Sequence, residues 1–183
     1  PMLSAKCDDV AALNYPVMAS PKLDGIRCLV VGGVAVSRNF KRIPNEAVCE
    51  LLCHDGLSGL DGELIVGDPK APDCYRATNS GIMSHDGEPD WCFWVFDDFT
   101  RPNAPFEQRL SSVAARIVGL SREYRKRVRA VPHVFKKTPE ELNDYEAQHM
   151  LAGYEGIMVR SPDGAYKFGR ATAREGTLLK VKR

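Results

Sequence analysis

The sequence predicts an α+β fold in which antiparallel sheets are flanked by helices. Segments with strand patterning and segments with helical spacing are mixed along the chain, without the regular alternation that marks a doubly wound parallel sheet. Gly32 and Gly33 separate two β-like runs, a pattern typical of a hairpin and therefore of antiparallel pairing. At 183 residues the chain suits one domain, 1–183, with a substantial core.

The first half of the chain is predicted to hold a hairpin, a short helix and two further strands. Residues 28–36 form the hairpin, and residues 45–54 form an amphipathic helix. The apolar run 64–66 is typical of a buried strand, and residues 91–99 have the length and aromatic content of another. We expect a loop over residues 67–79, because this stretch is polar and contains prolines.

Two longer helices are predicted in the second half. Residues 106–118 carry apolar side chains at helical spacing, and residues 139–151 follow Thr138, a plausible N-cap that precedes two glutamates. The runs 157–160 and 178–182 are apolar enough for strands. The prediction is therefore a mixture of short strands and three helices.

Composition limits the class of protein. Hydrophobic residues make up 44% and charged residues 27%, which is ordinary for a globular domain. No apolar run is long enough to span a bilayer, so we expect no membrane partner. Six scattered cysteines without a C-x-x-C pair favour reduced thiols and a cytoplasmic location.

The net charge of +1 does not by itself indicate a nucleic-acid-binding protein. The cations are unevenly distributed, however, because residues 122–129 contain five of them in eight positions. Such a run is either a patch for a phosphate backbone or the solvated end of a helix, where cations complement the helix dipole. Charge runs are usually solvated faces, so the second interpretation is the default.

The stretch Lys22-Leu23-Asp24-Gly25-Ile26-Arg27 is the most informative in the chain. It combines a lysine, a carboxylate, a glycine turn and an arginine just before a β-like run. A lysine amine is a covalent nucleophile only when it is deprotonated, which requires desolvation or nearby positive charge. Taken alone, the stretch is equally consistent with a lysine at a strand edge followed by an Asp-Gly turn.

Four later segments extend this pattern. They are L-D-G-E-L-I at 60–65, F-W-V-F-D at 93–97, E-G-I-M-V-R at 155–160 and L-L-K-V-K at 178–182. In this order, the five segments resemble the collinear signature of the covalent nucleotidyltransferases, which comprise ATP-dependent DNA ligases, RNA ligases and mRNA capping enzymes. The resemblance covers about residues 16–183.

Within this superfamily the chain looks most like the adenylation domain of a bacteriophage-type ATP-dependent DNA ligase. The segments that carry this closer resemblance are A-S-P at 19–21, S-R-N-F-K at 37–41, S-G-I-M-S at 80–84 and Y-K-F-G-R at 166–170. The resemblance implies the nucleotidyltransferase (ATP-grasp-like) fold of DNA ligases and capping enzymes, with two packed antiparallel sheets and the nucleotide in the groove between them. Such enzymes normally continue into an oligonucleotide-binding β-barrel, which is absent from this chain, so we expect an isolated or truncated adenylation domain.

The resemblance also implies a reaction and its partners. Lys22 attacks ATP to form a lysyl-AMP intermediate, AMP passes to the 5′-phosphate of nicked double-stranded DNA, and the 3′-hydroxyl then seals the nick. The cofactors implied are ATP and Mg²⁺ (or Mn²⁺). We expect a monomer, located in the host cytoplasm if a phage encodes it.

Five cationic residues are expected to act on phosphates. Lys22 is the nucleophile, and Lys180 and Lys182 share one face if their segment is a strand, so that both would reach the α-phosphate. Arg27 and Arg38 would bind phosphates through the guanidinium fork.

Five further residues are expected to hold the metal and the nucleoside. Glu155 would position the metal, because carboxylates are the oxygen ligands that Mg²⁺ prefers. Glu63 would meet the ribose hydroxyls, with a metal role as second choice. Phe96 would stack on adenine, and Leu23 together with Ile157 or Val159 would wall the base.

Each of these residues also has a simpler interpretation. Phe96 could belong to the core, Glu63 and Glu155 could be surface acids, and the last two lysines could protect a sheet edge. Three other functions use related features: an RNA ligase, a capping guanylyltransferase that uses GTP, and a non-catalytic nucleic-acid-binding module. The last is the least favoured, because every lysine and carboxylate that the chemistry needs is present.

Overall fold

The computed structural model describes residues 1–182 and contains two compact units. Unit 1 comprises Pro1–Leu23, Arg101–Arg109 and the chain from Val131 onward. Unit 2 comprises Asp24–Thr100 and Leu110–Ala130. Over the described residues, no helix combines the length and the hydropathy that a membrane crossing requires.

Residues 1–182 contain twelve strands and five α-helices. The strands are β1 (Met2–Leu3), β2 (Ala5–Lys6), β3 (Val17–Pro21), β4 (Ile26–Val31), β5 (Val34–Ser37), β6 (Leu60–Val66), β7 (Trp91–Asp98), β8 (Val128–Ala130), β9 (Val134–Lys136), β10 (Ile157–Arg160), β11 (Gly169–Arg170) and β12 (Leu179–Val181). The helices are α1 (Glu46–Leu52), α2 (Cys74–Ile82), α3 (Phe106–Val118), α4 (Arg122–Arg127) and α5 (Pro139–Leu151).

Unit 1 contains a five-stranded sheet in the order β2-β12-β10-β3-β9, and β1 pairs with β11 beside it. The central pairs are antiparallel, and only the edge pair β12–β2 is parallel. Alternate side chains of the sheet pack in one core beneath α5, where Leu142 and Tyr145 meet Val17, Ile157 and Val181. The side chains at the intervening strand positions point to the opposite face of the sheet.

Unit 2 contains a second five-stranded sheet in the order β5-β4-β6-β7-β8. It is antiparallel except at β8, which pairs with β7 in parallel. Cys28, Val30, Leu64, Phe93 and Val95 point into the larger core of the protein. The alternate positions of the same strands therefore form a second, more polar face.

The predicted hairpin is confirmed. β4 and β5 pair through the register Val31↔Val34, and the two residues between them are Gly32 and Gly33. Both glycines have positive φ, at 53° and 72°, which a two-residue turn of this type requires and which glycine adopts without steric cost. The turn chemistry in the sequence was thus sufficient to fix this connection.

The two longer helices are also confirmed, with α3 and α5 spanning the predicted residues. Thr138 caps α5, since its hydroxyl accepts a hydrogen bond from the Glu141 backbone N–H at 3.3 Å. The sheets agree with the α+β prediction, although each contains one parallel edge pair that the sequence did not indicate.

The loop predicted over residues 67–79 is wrong in its second half, where α2 begins at Cys74. The prolines and the polar composition masked the helix, but Cys74, Thr78 and Ile82 are spaced four residues apart and are all buried. The Thr78 hydroxyl accepts a hydrogen bond from the Val66 backbone N–H at 2.9 Å, which fastens α2 to the end of β6. Tertiary packing therefore overrides a weak local preference for helix.

Asp98 is a buried carboxylate of unit 2 with several hydrogen-bond partners. It accepts hydrogen bonds from the hydroxyls of Thr100 and Ser112, each at 2.7 Å, and forms an ion pair with Arg116 at 3.1 Å. Burial alone would raise the pKa of Asp98, but these partners lower the pKa below its ordinary value of 3.8. The network joins the end of β7 to the second half of α3.

We expect Asp98→Asn to lower the free energy of unfolding by about 2 to 4 kcal/mol at pH 7, because it removes a buried anion and leaves the half-buried Arg116 without its partner. The folded-state pKa of Asp98 is lowered, so its contribution is complete above pH 3.8 and is lost as the pH falls further. The difference from the unmutated protein should therefore shrink in acid. Urea titrations at pH 7 and pH 3 measure this, with Asp90→Asn as the control, since Asp90 is exposed in its pair with Arg127. Equal losses in both variants would contradict the prediction.

Candidate active site

Lys22 directly follows β3 and continues its pairing with β10. Its backbone N–H donates to the carbonyl oxygen of Gly156 at 3.0 Å, one step beyond the register Pro21↔Ile157. Side chains directly opposite in such a pair point to the same face. Lys22 therefore shares a face with Ser20 and Met158, and this face is the reverse of the one that forms the core.

Glu155 lies between two lysines. The Lys22 Nζ is 2.6 Å from Glu155 Oε2, and the Lys182 Nζ is 3.1 Å from Glu155 Oε1. The hydrogen bond from Lys22 is the main reason that the pKa of Glu155 is lowered, partial burial opposes it, and Lys182 adds to the effect. The Lys22 side chain is only 19% exposed, whereas Lys182 is 48% exposed. The three side chains form one charged cluster, with the candidate nucleophile at its least accessible point.

Gly156 permits this arrangement. Its φ is 153°, and a Cβ atom at this position would lie 2.2 Å from the carbonyl oxygen of Val181. Any larger residue would push β12 away from β10, and with it Lys182 away from Glu155. The glycine of the E-G-I-M-V-R segment is thus required by the close approach of two backbones.

Lys180 lies on the same face as Lys22. It pairs across the sheet with Met158, while its neighbours Leu179 and Val181 point into the core. The expectation that Lys180 and Lys182 share a face therefore agrees with the strand register. Of these two lysines, Lys182 is the one that contacts Glu155. That Lys180 acts on a phosphate stays a prediction.

In unit 2, Arg27 is engaged in a way that the sequence did not indicate. Its Nε and Nη2 atoms each lie 2.6 Å from an oxygen of Asp61, whose side chain is fully buried. The guanidinium also lies 4.7 Å from the centroid of the Phe96 ring. The Arg27 fork thus holds Asp61 in this structure, and the expected binding of phosphates by Arg27 stays a prediction.

Phe96 occupies a β-bulge. The register between β6 and β7 shifts between Asp61 and Gly62, so that Phe96 is the extra residue on its strand. Bulges re-aim a side chain and are frequent beside active sites. Phe96 remains half-buried on the polar face of the sheet, as a base platform would need to be.

Glu63 and Trp94 form the next row on this face. Glu63 pairs across the sheet with Arg27 on one side and Trp94 on the other, and its Oε1 accepts the Gly25 backbone N–H at 3.3 Å. Within residues 1–182, the buried Nε1 of Trp94 has no hydrogen-bond partner. Asp61 and Trp94 were both missed by sequence reasoning, although each lies inside one of the motif segments.

Ile157 was expected to wall the base, and this is wrong. Its side chain is fully buried in the core of unit 1, on the reverse face of the sheet from Lys22. Met158, the next residue, is half-buried on the face that carries Lys22. Met158 is therefore the residue of this strand that can meet a ligand. Leu23 is half-buried, and its role stays a prediction.

Arg38 lies in the loop after β5, where it is exposed and lines a cavity of about 450 Å³ within unit 2. Arg27, Lys41, Arg42 and Glu63 line the same cavity. Arg27 is already paired with Asp61, so the positive charge of the cavity comes from its three exposed cations, which suits a phosphate. This agrees with the kind of ligand expected for Arg38, and its exact role stays a prediction.

Among the motif carboxylates, Glu155 is the one whose surroundings suit a metal ion. Mg²⁺ is usually bound through one or two carboxylates together with substrate phosphates, rather than by a complete cage of protein ligands. The chemistry of Glu155 fits this pattern, since both its oxygens already hold cationic groups. Within the described chain, the one compact group of three candidate ligands is instead Glu46, His85 and Asp86, all exposed and outside the motif segments.

Comparison with protein families identifies the chain. Residues 1–182 match the family described as the ATP dependent DNA ligase domain. The chain belongs to this family. The match covers all the motif segments and favours a DNA ligase over the RNA ligase and capping alternatives. A comparison with curated protein sequences gave no match.

Solved structures of DNA ligases share the fold. The Chlorella virus DNA ligase-adenylate superposes with a TM-score of 0.83 at 30% sequence identity, covering 100% of this chain and 68% of that one. The bacteriophage T7 ATP-dependent DNA ligase in complex with ATP gives 0.70 at 17% identity, covering 100% and 67%. A Lig E DNA ligase gives 0.77 at 22% identity, covering 100% and 69%. The last two identities support the fold alone, and this ligase-family chain spans about two thirds of the length of these structures.

The opposite faces assigned to Ile157 and Met158 give a paired prediction. We expect Ile157→Ala to lower the free energy of unfolding by about 2 to 5 kcal/mol, because it leaves a cavity in the core. We expect Met158→Ala to change stability by less than about 1 kcal/mol and to weaken ATP binding several-fold. Urea unfolding and equilibrium binding of ATP measure the two effects, and each variant is the control for the other. A loss of ATP affinity confined to Ile157→Ala would reverse the assignment.

Proposed function

We propose that the chain attaches AMP covalently to Lys22. In this step the Lys22 nitrogen forms a bond to the α-phosphorus of ATP, the bond from that phosphorus to the bridging oxygen breaks, and pyrophosphate leaves. The observation that carries the proposal is the charged cluster of Lys22, Glu155 and Lys182 in a member of the ATP dependent DNA ligase domain family. A partly buried lysine beside a second lysine is suited to attack on a phosphate and to neutralising the charge that develops there.

The ion pair with Glu155 sets a condition on this attack. A nucleophilic amine must direct its nitrogen at phosphorus, whereas in the 2.6 Å contact the Lys22 nitrogen is directed at the Glu155 carboxylate. Glu155 is a weak base, because its pKa is lowered, so it orients Lys22 rather than removing its proton. The contact must therefore open before Lys22 attacks.

Glu155 is also the residue that would hold Mg²⁺. A bound Mg²⁺ would supply positive charge to the phosphate oxygens of ATP. The Glu155 oxygens that would hold the metal are the ones that contact Lys22 and Lys182 in this structure. Lys180 and Lys182 remain on the same face to bind the phosphate that receives the attack.

The nucleoside is assigned to the remaining motif residues. Phe96 would stack on adenine, with its ring held by Arg27, and Glu63 would accept hydrogen bonds from the ribose hydroxyls. Leu23 and Met158 would contact the base. In this proposal, residues 1–183 act together as an adenylation domain.

The later steps follow from ligase chemistry. AMP would pass from Lys22 to the 5′-phosphate of nicked double-stranded DNA, and attack by the 3′-hydroxyl would then release AMP and seal the nick. Arg38, Lys41 and Arg42 are suited to bind the DNA phosphates, because their cavity concentrates positive charge. We propose that a monomer carries out these steps.

The decisive experiment is intact-mass spectrometry after incubation with Mg²⁺ and ATP, with GTP in parallel and peptide mapping of any adduct. We expect one AMP adduct on Lys22 with ATP alone. Lys22→Ala and Lys22→Arg should both abolish it, because neither retains an amine that can attack phosphorus.

Lys167→Ala is the matched control, since Lys167 forms another half-exposed ion pair, with Glu175, away from the motif lysines. It should label at the rate of the unmutated protein. A GMP adduct would assign the domain to capping chemistry. Labelling that persists without Lys22 would contradict the proposed mechanism.

A further inference from the structure

We infer that unit 2 carries a second phosphate-binding surface, for duplex DNA, at the β8 edge of its sheet. The surface consists of Arg122, Arg125, Lys126 and Arg129, which we call the β8-edge cations. They come from α4 and from β8, which follows α4 without a break. The inference rests on the proposed function, because it takes nicked duplex DNA as the partner.

The β8-edge cations are exposed and, over residues 1–182, none of them forms an ion pair with a carboxylate. Arg127, within the same run, behaves differently. It contacts the carboxylate of Asp90, donates to the Trp91 carbonyl oxygen at 2.8 Å and stacks over the Trp91 ring. Arg127 is therefore paired with a carboxylate, whereas the other four cations of the run are exposed and have no carboxylate partner.

A solvated helix end does not account for this set. Cations in the last turn of a helix complement its dipole, which suits Arg125 and Lys126. Arg122, however, is the first residue of α4, where a cation opposes the dipole, and Arg129 lies beyond the helix. Arg122 also lies three and four residues before Arg125 and Lys126, and like charges at this spacing destabilise a helix. The cations thus carry a small cost to folding that a polyanionic partner would offset.

Arg129 connects this edge to the polar face of the sheet. It pairs with Trp94 in the β7–β8 register, and its guanidinium lies 5.7 Å from the centroid of the Trp94 ring. Trp94 in turn pairs with Glu63, and Glu63 with Arg27. Arg129 therefore marks the outer end of this row, at the sheet edge beyond Trp94 and outside the residues that we assign to the nucleoside.

The opposite edge of the same sheet is also basic. β5 forms that edge, and the loop after it carries Arg38, Lys41 and Arg42. Five strands at about 4.8 Å spacing separate the two edges by about 19 Å. Phosphates of one DNA strand rise about 3.4 Å per nucleotide, so this distance corresponds to about five or six nucleotides. A duplex crossing the sheet would meet cations at both edges, with the assigned nucleotide residues between them.

The test is the salt dependence of DNA binding by the whole chain. A nicked duplex is titrated by fluorescence anisotropy at several KCl concentrations, using the unmutated protein and the variant Arg122→Gln/Arg125→Gln/Lys126→Gln/Arg129→Gln. The control variant, Lys6→Gln/Lys70→Gln/Arg101→Gln/Lys137→Gln, removes the same charge from exposed cations elsewhere. AMP labelling by ATP is measured for all three proteins.

We expect the slope of log affinity against log salt to fall in magnitude by about 2 or more in the β8-edge variant, since each phosphate contact contributes about 0.9. The control should change it by less than 1. Glu123→Lys, which adds a cation to α4, should steepen the slope. AMP labelling should be equal in the unmutated protein and both variants.

Equal slopes in the β8-edge variant and the control would overturn the inference, as would an unmutated protein that does not bind the duplex at low salt. Failure of the proposed function has a different signature, namely no AMP adduct in the unmutated protein. DNA binding that depends on the β8-edge cations, without any adduct, would support the surface while rejecting the mechanism at Lys22.

Discussion

The charged cluster of unit 1 depends on one carboxylate that is shared by two lysines. Glu155 can reach both Lys22 and Lys182 only because β3 and β12 flank β10 in a fixed register. That register is set by the side chains beneath α5, since a slip of one residue would turn the lysines into the core. The close approach of β12 further requires Gly156. Apolar packing on one face of the sheet thus determines electrostatics on the other.

Unit 2 follows the same principle with different chemistry. Its sheet buries one face in the larger core and presents guanidinium, carboxylate and aromatic groups on the other. Arg27 and Asp61 neutralise each other there, and Arg27 also fixes the Phe96 ring at the bulge. Because these side chains are already ordered, less conformational entropy is lost when a base binds to them. Both sheets therefore use one face for stability and the other for recognition.

The sequence was sufficient where the signal is local. Turn glycines specify the β4–β5 hairpin, helical spacing gives the bounds of α3 and α5, and the ordered motif segments indicate the family. The sequence was insufficient where a side chain's contact depends on a residue far away in the chain. Arg27 and Asp61 are 34 residues apart, and nothing in either segment states that they pair. Likewise, the segment Ile157–Arg160 is apolar at successive positions, so the sequence could not tell which of Ile157 and Met158 faces the core.

The contact between Lys22 and Glu155 also affects the protein when no nucleotide is present. An amine that is hydrogen-bonded to a carboxylate, with only 19% of its side chain exposed, is poorly accessible to cyanate, aldehydes and other small electrophiles. The same contact that delays the attack on ATP therefore shields the essential side chain from accidental modification. Such protection would keep Lys22 unreactive in the protein without ligand, until its contact with Glu155 opens.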